Sequence, residues 1–231
     1  MTASHNPPEY NGLKLFVNGC EMYTEEYEQL KVLYKETDNS GNEENSNVGN
    51  EDIRIDKEMR TAFLEKYMSS LPESGPAVFD LAGGAVCAIK EVFMTRIFDT
   101  PDPTFSRHSP EPAPEGLNYL VNLSRRNNKL GIAFDGDGDR VVVIDKEVIL
   151  SDVLGTFLLE HDLVYARNVV MTVDCSSKVF RRLDEQGYNP TYSAVGSVNV
   201  IKNMMRLPNS YGFEDSGRYY CQEENISLMD Q

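Results

Sequence analysis

Three aspartates alternate with glycines in the segment DGDGDR, and their types and spacing are well suited to metal chemistry. Asp135, Asp137 and Asp139 directly follow the apolar run LGIAF, and Arg140 comes after them. Carboxylates crowded on one loop repel one another, so an uncompensated cluster is costly. Glycines allow a turn that aims all three at one point, and oxygen-only ligands suit a hard cation, Mg²⁺ above all. Arg140 adds a planar fork for phosphate oxygens beside such a metal.

Two other uses of an aspartate-rich loop compete with this interpretation. A calcium-binding EF-hand loop needs glycine at its sixth position and glutamate at its twelfth. This chain has Arg140 and Lys146 there, which excludes an EF-hand. A phosphatase of the haloacid-dehalogenase type also places D-x-D after a buried strand, with the first aspartate, here Asp135, as nucleophile. That family has threonine or valine where this chain has Asp139, which weakens the phosphatase alternative and leaves it open.

A serine near the first residue is the second candidate group. The segment TASHNP places Ser4 beside His5, and Lys14 follows shortly after. A hydroxyl next to imidazole and amine groups can accept and donate a phosphoryl group once a metal neutralises its charge. The G-x-S-x-G elbow of a serine hydrolase is absent around Ser4. Taken alone the segment is weak evidence, because residues near a terminus are usually solvated.

Alternating strands and helices surround these segments. From Ala77 the order is a strand in AVFDL, an AGG turn and a helix in AVCAIKEVFM, and the strands LGIAF and VVVID enclose DGDGDR. Ser151 is predicted to cap the next helix, and NVVMTV and PTYSAV are further strands, each followed by a helix. We interpret Gly83 and Gly84 as a tight strand-to-helix turn. This alternation predicts mixed or parallel sheets with helices on their faces.

Composition argues against nucleic-acid binding and against a membrane-spanning protein. The formal net charge of −15 argues against nucleic-acid binding. The sequence has no apolar run of the roughly 18 residues that a membrane helix needs, so a soluble, cytoplasmic protein is expected. Its four cysteines show no CxxC pairing and are expected to be reduced.

Four segments occur in one order: TASHNPPEYNGLK, a proline-rich loop, AFDGDGDR and GFEDSGRYY. With them the chain resembles the α-D-phosphohexomutase superfamily, which includes phosphoglucomutases, phosphomannomutases and phosphoglucosamine mutases. The resemblance runs along essentially the whole chain. It implies an α/β fold of tandem three-layer α/β/α units with mixed sheets. The implied domains are residues 1–71 as the C-terminal part of domain 1 with the serine loop, 72–150 as domain 2 with the metal loop, and 151–231 as a C-terminally truncated domain 3 with the sugar loop.

The resemblance also implies a reaction and a set of roles. The reaction is the Mg²⁺-dependent interconversion of hexose 1-phosphate and hexose 6-phosphate, through a phosphoserine enzyme and a 1,6-bisphosphate intermediate. The implied catalytic residues are Ser4 as the phosphoserine, His5, Lys14 and Arg140. The implied metal ligands are Ser4, Asp135, Asp137 and Asp139.

The implied sugar loop departs from the usual pattern of the family. Glu214 and Ser216 match positions that bind the ring hydroxyls of the substrate. The family has histidine where this chain has Arg218, for which we expect a phosphate contact, and an acidic or imidazole side chain where this chain has Ser197. Mannose, glucose and glucosamine phosphates all stay open as substrates.

Relative to the family, the chain lacks segments at both ends. A complementing polypeptide that supplies the missing domains is therefore an expected partner. A non-catalytic remnant that binds sugar phosphates is the further alternative.

Overall fold

The computed structural model describes most of the chain from residue 75 onwards and parts of the chain before it. The described residues are Tyr10, Gly12, 15–17, 20–38, 61, 62, 64, 65, 68, 69 and 75–222 apart from position 108. Two compact units divide the chain: Lys14–Glu73 is one, and Met1–Leu13 together with Ser74–Gln231 is the other. Within the described ranges, no helix is long and apolar enough to cross a membrane.

In the unit Lys14–Glu73, a short hairpin leads into a helix. Strand β1 (Phe16–Val17) pairs antiparallel with β2 (Cys20–Glu21), and helix α1 (Thr24–Asp38) follows. At the start of α1 the Tyr23 N–H donates to the Glu26 carboxylate at 2.6 Å. An acid in the first turn satisfies a free N–H group and complements the helix dipole, so the sequence marks this helix start locally.

A five-stranded mixed sheet carries the DGDGDR segment. Its strands are β3 (Ala77–Asp80), β4 (Arg96–Ile97), β5 (Leu130–Phe134), β6 (Val141–Ile144) and β7 (Val148–Ile149). They lie in the order β4-β3-β5-β6-β7. Strand β3 pairs parallel with β4 and β5, whereas β5–β6 and β6–β7 are antiparallel. The predicted strands on either side of DGDGDR are therefore hydrogen-bonded neighbours.

Both faces of this sheet are covered, because successive residues of a strand point to opposite faces. On one face Phe79 packs in a core with the 3₁₀ helix Ala85–Val92. On the other face Val78 packs with Leu120 of helix α2 (Asn118–Asn127). The result is three layers.

The helix predicted over AVCAIKEVFM is a 3₁₀ helix rather than an α-helix. It is interrupted by non-helical backbone angles at Ile89. Two of its own residues, Val86 and Cys87, are buried in the core that includes Phe79, so tertiary packing rather than helix propensity sets its geometry.

A four-stranded mixed sheet follows. Its strands are β8 (Asn168–Thr172), β9 (Asn189–Ser193), β10 (Ser210–Phe213) and β11 (Tyr219–Cys221), in the order β11-β10-β8-β9. Its helices are α3 (Ser151–Glu160), α4 (Ser177–Glu185) and α5 (Ser197–Met204). Strand β8 pairs parallel with β9 and β10, and β10 pairs antiparallel with β11.

Alternation again divides the core between the two faces of this sheet. Met171 packs with Leu159 of α3 and Leu183 of α4, while its neighbour Val170 packs with Val200 of α5. Burying each such side chain contributes about 1.5–3 kcal/mol to folding. The predicted α/β fold of tandem three-layer units with mixed sheets is thus confirmed.

The predicted cap at Ser151 is wrong. Helix α3 begins at Ser151 itself, Leu150 occupies the cap position, and no side chain makes a cap hydrogen bond. Asp152, in the first turn, is the important acid: it is buried, and its Oδ2 accepts from the Ser176 N–H at 2.9 Å. This bond ties the start of α3 to the start of α4, an interaction that a local cap prediction does not see.

Candidate active site

The DGDGDR segment forms a turn, here called the carboxylate loop (residues 135–140), between strands β5 and β6. Asp135 is buried, Asp137 half-buried and Asp139 exposed, and one oxygen from each lies within 4.8 Å of the others. Gly138 has a φ of +80°, which favours glycine. Its N–H donates to Asp135 Oδ1 at 2.9 Å. The three carboxylates therefore converge as the glycine spacing predicts.

Asp135 is the fixed member of the loop. Its Oδ1 also accepts from the backbone N–H of Arg140 at 3.1 Å. Donors of this kind compensate part of the cost of burying a carboxylate. The buried aspartate thus organises the loop, while the carboxylates of Asp137 and Asp139 lie nearer the surface.

Two segments that sequence analysis did not connect with the carboxylate loop hold it in place. The Gly136 N–H donates to the carbonyl of Pro110 in the proline-rich loop, and the Gly136 carbonyl accepts from Ala85 N–H, both at 2.9 Å. Gly84 lies so close that an added Cβ would be 2.4 Å from the Gly136 oxygen. The predicted glycine turn is therefore also a support for the carboxylate loop, for which the only sequence signal is the AGG run itself.

The Arg140 guanidinium faces two carboxylates at long range. Its Nη1 lies 3.8 Å from Glu111 Oε1 and its Nε lies 3.9 Å from Asp135 Oδ2, both beyond hydrogen-bond distance. The side chain is only 13% exposed, and its Nε has no hydrogen-bond partner among the described residues. Burying a charged guanidinium without enough acceptors costs free energy, and a bound anion would offset this cost by accepting from Arg140.

A cavity of about 240 Å³ lies beside Arg140. Its polar lining includes Glu111, Ser151, Asp215 and Ser216, together with Arg140. The Ser216 hydroxyl is buried and has no partner among the described residues. Burial and two neighbouring aspartates raise the pKa of Asp215. Arg140 and Ser216, predicted for different roles from distant motifs, therefore meet at one cavity.

The predicted sugar loop (residues 214–218) is the turn between strands β10 and β11. Glu214 is 1% exposed. Its Oε2 accepts from the Gly196 N–H at 3.2 Å, and its Oε1 accepts from the Tyr220 hydroxyl. Burial, and next the bond to Glu214, raise the pKa of Tyr220. Both oxygens of this carboxylate are already engaged, so a sugar hydroxyl must share or replace these partners.

The sugar loop and the carboxylate loop contact each other directly. Arg218 Nη2 donates to both oxygens of Asp139, at 2.9 and 2.6 Å, and Val141 N–H donates to the Gly217 carbonyl at 3.0 Å. Gly217 has a φ of +90°, and an added Cβ would lie 2.6 Å from the Val141 oxygen. Burial lowers the pKa of Arg218. The hydrogen bonds to Asp139 and the charge of Asp139 together raise this pKa by more than burial lowers it, so the net shift is upward.

The carboxylate loop fits a small, hard cation. Mg²⁺ binds oxygens at about 2.0–2.1 Å in an octahedron, so neighbouring ligands lie about 2.9 Å apart and opposite ligands about 4.2 Å apart. The three carboxylates, with oxygens within 4.8 Å of one another, are grouped closely enough to draw together around one such ion. The remaining predicted residues, Ser4, His5 and Lys14, lie outside the described residues and stay predictions.

The fold and site define the class: tandem three-layer α/β units in which an aspartate loop meets a glutamate-bearing loop. Three family models match the chain in succession. They describe the alpha/beta/alpha domains of phosphoglucomutase/phosphomannomutase: domain I over residues 1–41, domain II over 83–148 and domain III over 150–228. The chain belongs to this family, within the α-D-phosphohexomutase superfamily, as the motifs predicted.

Individual relatives cover nearly all of the chain. A phosphomannomutase of Methanocaldococcus jannaschii is 28% identical over 96% of this chain and 53% of its own length. A phosphoglucosamine mutase of Limosilactobacillus reuteri is 29% identical over 98% of this chain and 54% of its own. The solved structure of a phosphoglucomutase/phosphomannomutase family protein from Burkholderia thailandensis matches with a TM-score of 0.72 at 22% identity. It covers 97% of this chain and 51% of that one, which supports the fold. The chain spans about half the length of the curated relatives it matches.

Proposed function

We propose that this chain carries the serine, metal and sugar loops of a Mg²⁺-dependent phosphohexose mutase. The proposed reaction interconverts hexose 1-phosphate and hexose 6-phosphate through a phosphoserine and a 1,6-bisphosphate. The observation that carries this proposal is the convergence of Asp135, Asp137 and Asp139 beside Arg140 in a chain of this family. Hexose phosphates are the proposed substrates because the relatives are named phosphomannomutase and phosphoglucosamine mutase.

The proposed domain organisation follows the motifs. Residues 1–71 supply the end of domain 1 with the phosphoserine, 72–150 supply domain 2 with the metal loop, and 151–231 supply domain 3 with the sugar loop. The described fold is compatible with this division, since the five-stranded and four-stranded sheets fall on either side of residue 150.

Asp135, Asp137 and Asp139 would hold Mg²⁺ together with a phosphoryl oxygen on Ser4. When bound there, Mg²⁺ supplies positive charge that stabilises a transferring phosphoryl group. Arg140 adds its Nε–H, which no described residue accepts, as a donor for phosphate oxygens from a side chain that is 13% exposed. Fixed donors in a site that excludes water stabilise developing charge without reorganisation. His5 and Lys14 are proposed to assist proton transfer and charge neutralisation.

The sugar loop would orient the substrate. The Ser216 hydroxyl lies beside the cavity and has no hydrogen-bond partner in the part of the chain that the structure describes, and it can donate to or accept from a ring hydroxyl. Glu214 can accept from two adjacent hydroxyls if they replace its present donors, Gly196 and Tyr220. Such replacement favours ligands that restore both bonds, because an unpaired buried carboxylate oxygen is costly.

The phosphatase alternative receives less support. Its nucleophile would be Asp135, which is fully buried and accepts two backbone N–H bonds at Oδ1. A carboxylate held in this way is poorly placed to attack an incoming phosphate, whereas it is well placed to organise a metal loop.

Phosphate mapping tests the proposal. The full chain is incubated with Mg²⁺ and hexose 1,6-bisphosphate, and the modified residue is located by intact-mass and fragmentation analysis. Phosphate on Ser4, absent from a Ser4→Ala variant, supports the mutase. Phosphate on Asp135 supports the phosphatase instead. A chain that binds hexose phosphate but is labelled nowhere and forms no 6-phosphate is a non-catalytic binder.

Metal binding is a second, independent test. Asp137→Ala should abolish Mg²⁺ binding measured by calorimetry, since two carboxylates do not offset the cost of dehydrating Mg²⁺; the expected wild-type affinity is micromolar to millimolar. Asp145→Ala, an exposed aspartate at the other end of β6, is the matched control and should bind normally. Undiminished binding by Asp137→Ala contradicts the metal assignment.

A further inference from the structure

Arg218 and the proposed metal make use of the same carboxylate. One nitrogen of Arg218, Nη2, donates to Oδ1 of Asp139 at 2.9 Å and to Oδ2 at 2.6 Å. Asp139 is also one of the three aspartates whose oxygens converge within 4.8 Å. The contact joins residues 79 positions apart, so neither loop alone creates it.

The two uses of Asp139 oppose each other for geometric and electrostatic reasons. Arg218 Nη2 contacts both oxygens of Asp139, so an oxygen that turns to a metal ligated by Asp135 and Asp137 gives up part of that two-oxygen contact. A divalent cation also repels a guanidinium a few ångströms away, and this repulsion is only partly screened, because the Arg218 side chain is 14% exposed. Metal and guanidinium therefore cannot both bind Asp139 at full strength.

We propose that Arg218 is a competing cation for the carboxylate loop: a divalent metal at Asp135, Asp137 and Asp139 displaces it from Asp139 and frees its guanidinium for a phosphate group. This inference rests on the proposed function, in which the loop binds a metal. It makes Arg218 a positioning residue that links metal loading to the sugar loop.

The environment of Arg218 supports release towards an anion. Its Nε is buried and has no hydrogen-bond partner among the described residues, so the guanidinium already has an unused donor. Its carbonyl accepts from the Glu214 N–H at 3.0 Å, which holds the backbone of the loop while the side chain moves. While Arg218 binds Asp139, it lowers the affinity of the loop for a metal. A phosphate that binds the Arg218 guanidinium removes this competition and so raises the metal affinity, and because coupling between two ligands is reciprocal, the metal raises the phosphate affinity by the same factor.

The test compares metal affinity in variants of the full chain. Arg218→Met keeps the apolar stem and removes the charge, so it should bind Mg²⁺, by calorimetry, and Mn²⁺, by electron paramagnetic resonance, about tenfold more tightly than the wild type. Arg218→Lys keeps a charge without the planar fork and should fall between the two. Arg206→Met removes an exposed arginine that precedes β10, at the opposite end of that strand from the sugar loop, and should leave affinity unchanged.

Whether metal affinity rises or falls in Arg218→Met decides if Arg218 competes with the metal or holds Asp139 in place for it. If Arg218 only holds Asp139 in place for the metal, Arg218→Met binds more weakly or equally, and the proposal is overturned. Circular dichroism and thermal melting check the fold, and Arg218→Gln replaces Arg218→Met if that variant is unfolded. If the wild type binds no divalent metal while correctly folded, the proposed metal-dependent function fails and this inference fails with it.

A second readout follows the loop itself. Metal should speed hydrogen exchange of amides in residues 214–218 of the wild type, because the side-chain anchor is released. The same metal should leave exchange unchanged in Arg218→Met, which has no anchor to lose. Equal effects in both proteins contradict displacement.

Discussion

Replacing Gly84 by alanine should disturb the carboxylate loop through one steric contact. The added Cβ would lie 2.4 Å from the Gly136 carbonyl oxygen. Gly84 itself has φ −96° and ψ −156°, which alanine adopts freely, so backbone strain at position 84 is excluded as the cause. The obstructing atom belongs to a backbone that Pro110 and Ala85 hold by hydrogen bonds, and it cannot swing aside like a flexible side chain.

The magnitude follows from three terms. Overpacking of this kind costs about 1–3 kcal/mol. Moving Gly136 away also weakens its hydrogen bond from Ala85, a loss of about 0.5–1.5 kcal/mol. Alanine stiffens the unfolded chain and restores about 0.4–1 kcal/mol. The net loss of unfolding free energy is therefore about 0.5–4 kcal/mol, and a loss of about 2 kcal/mol, near the middle of this range, lowers Tm by about 4–8 °C in a chain of this size.

Urea unfolding followed by circular dichroism, together with Mg²⁺ calorimetry, measures both consequences of Gly84→Ala. Gly116→Ala is the matched control, since an added Cβ there meets nothing within 4 Å; it should keep wild-type metal affinity, and its effect on the unfolded chain should raise stability by about 0.4–1 kcal/mol. Metal affinity of Gly84→Ala should fall several-fold because Gly136 lies between two of the aspartates. A Gly84→Ala protein with wild-type stability and wild-type metal affinity would refute the assigned support role.

Further predictions concern the core and the sugar loop. Tyr220→Phe leaves the buried Glu214 oxygen without its hydroxyl donor and should lower the unfolding free energy by about 1–3 kcal/mol; the exposed Tyr192→Phe should not, and equal losses in both would contradict the assignment. Leu120→Ala, at a fully buried position, should cost about 2–5 kcal/mol by chemical denaturation. Burial raises the pKa of Cys175 from 9.0 to about 11, so above pH 9 the unfolded thiol releases a proton that the folded one retains. The unfolding free energy should therefore fall as pH rises from 9 to 11, and the fall should be smaller in Cys175→Ala. If Cys175→Ala and the wild type lose equal stability over this pH range, the raised pKa of Cys175 is not its cause.

Much of the fold could be predicted because its signals are local. Apolar runs such as LGIAF and VVVID predict strands from their own residues, and their alternation with helices indicates the layers. The two errors have tertiary causes. The 3₁₀ helix Ala85–Val92 buries its own Val86 and Cys87 in the core of the five-stranded sheet. Helix α3 lacks the predicted Ser151 cap, while Asp152 bonds across to Ser176.

The sequence by itself determined the carboxylate loop, since the aspartates, the glycine with positive φ and the two flanking strands are consecutive in the chain. Only the tertiary structure decided what touches that loop. Gly84 against Gly136 is a contact that follows from the pairing of β3 with β5 in one sheet. Arg218 against Asp139 joins the loops of the two sheets. It also decided that Glu214 is buried with both oxygens engaged. A motif specifies which side chains are present, whereas their partners and burial are set by neighbours that the motif does not contain.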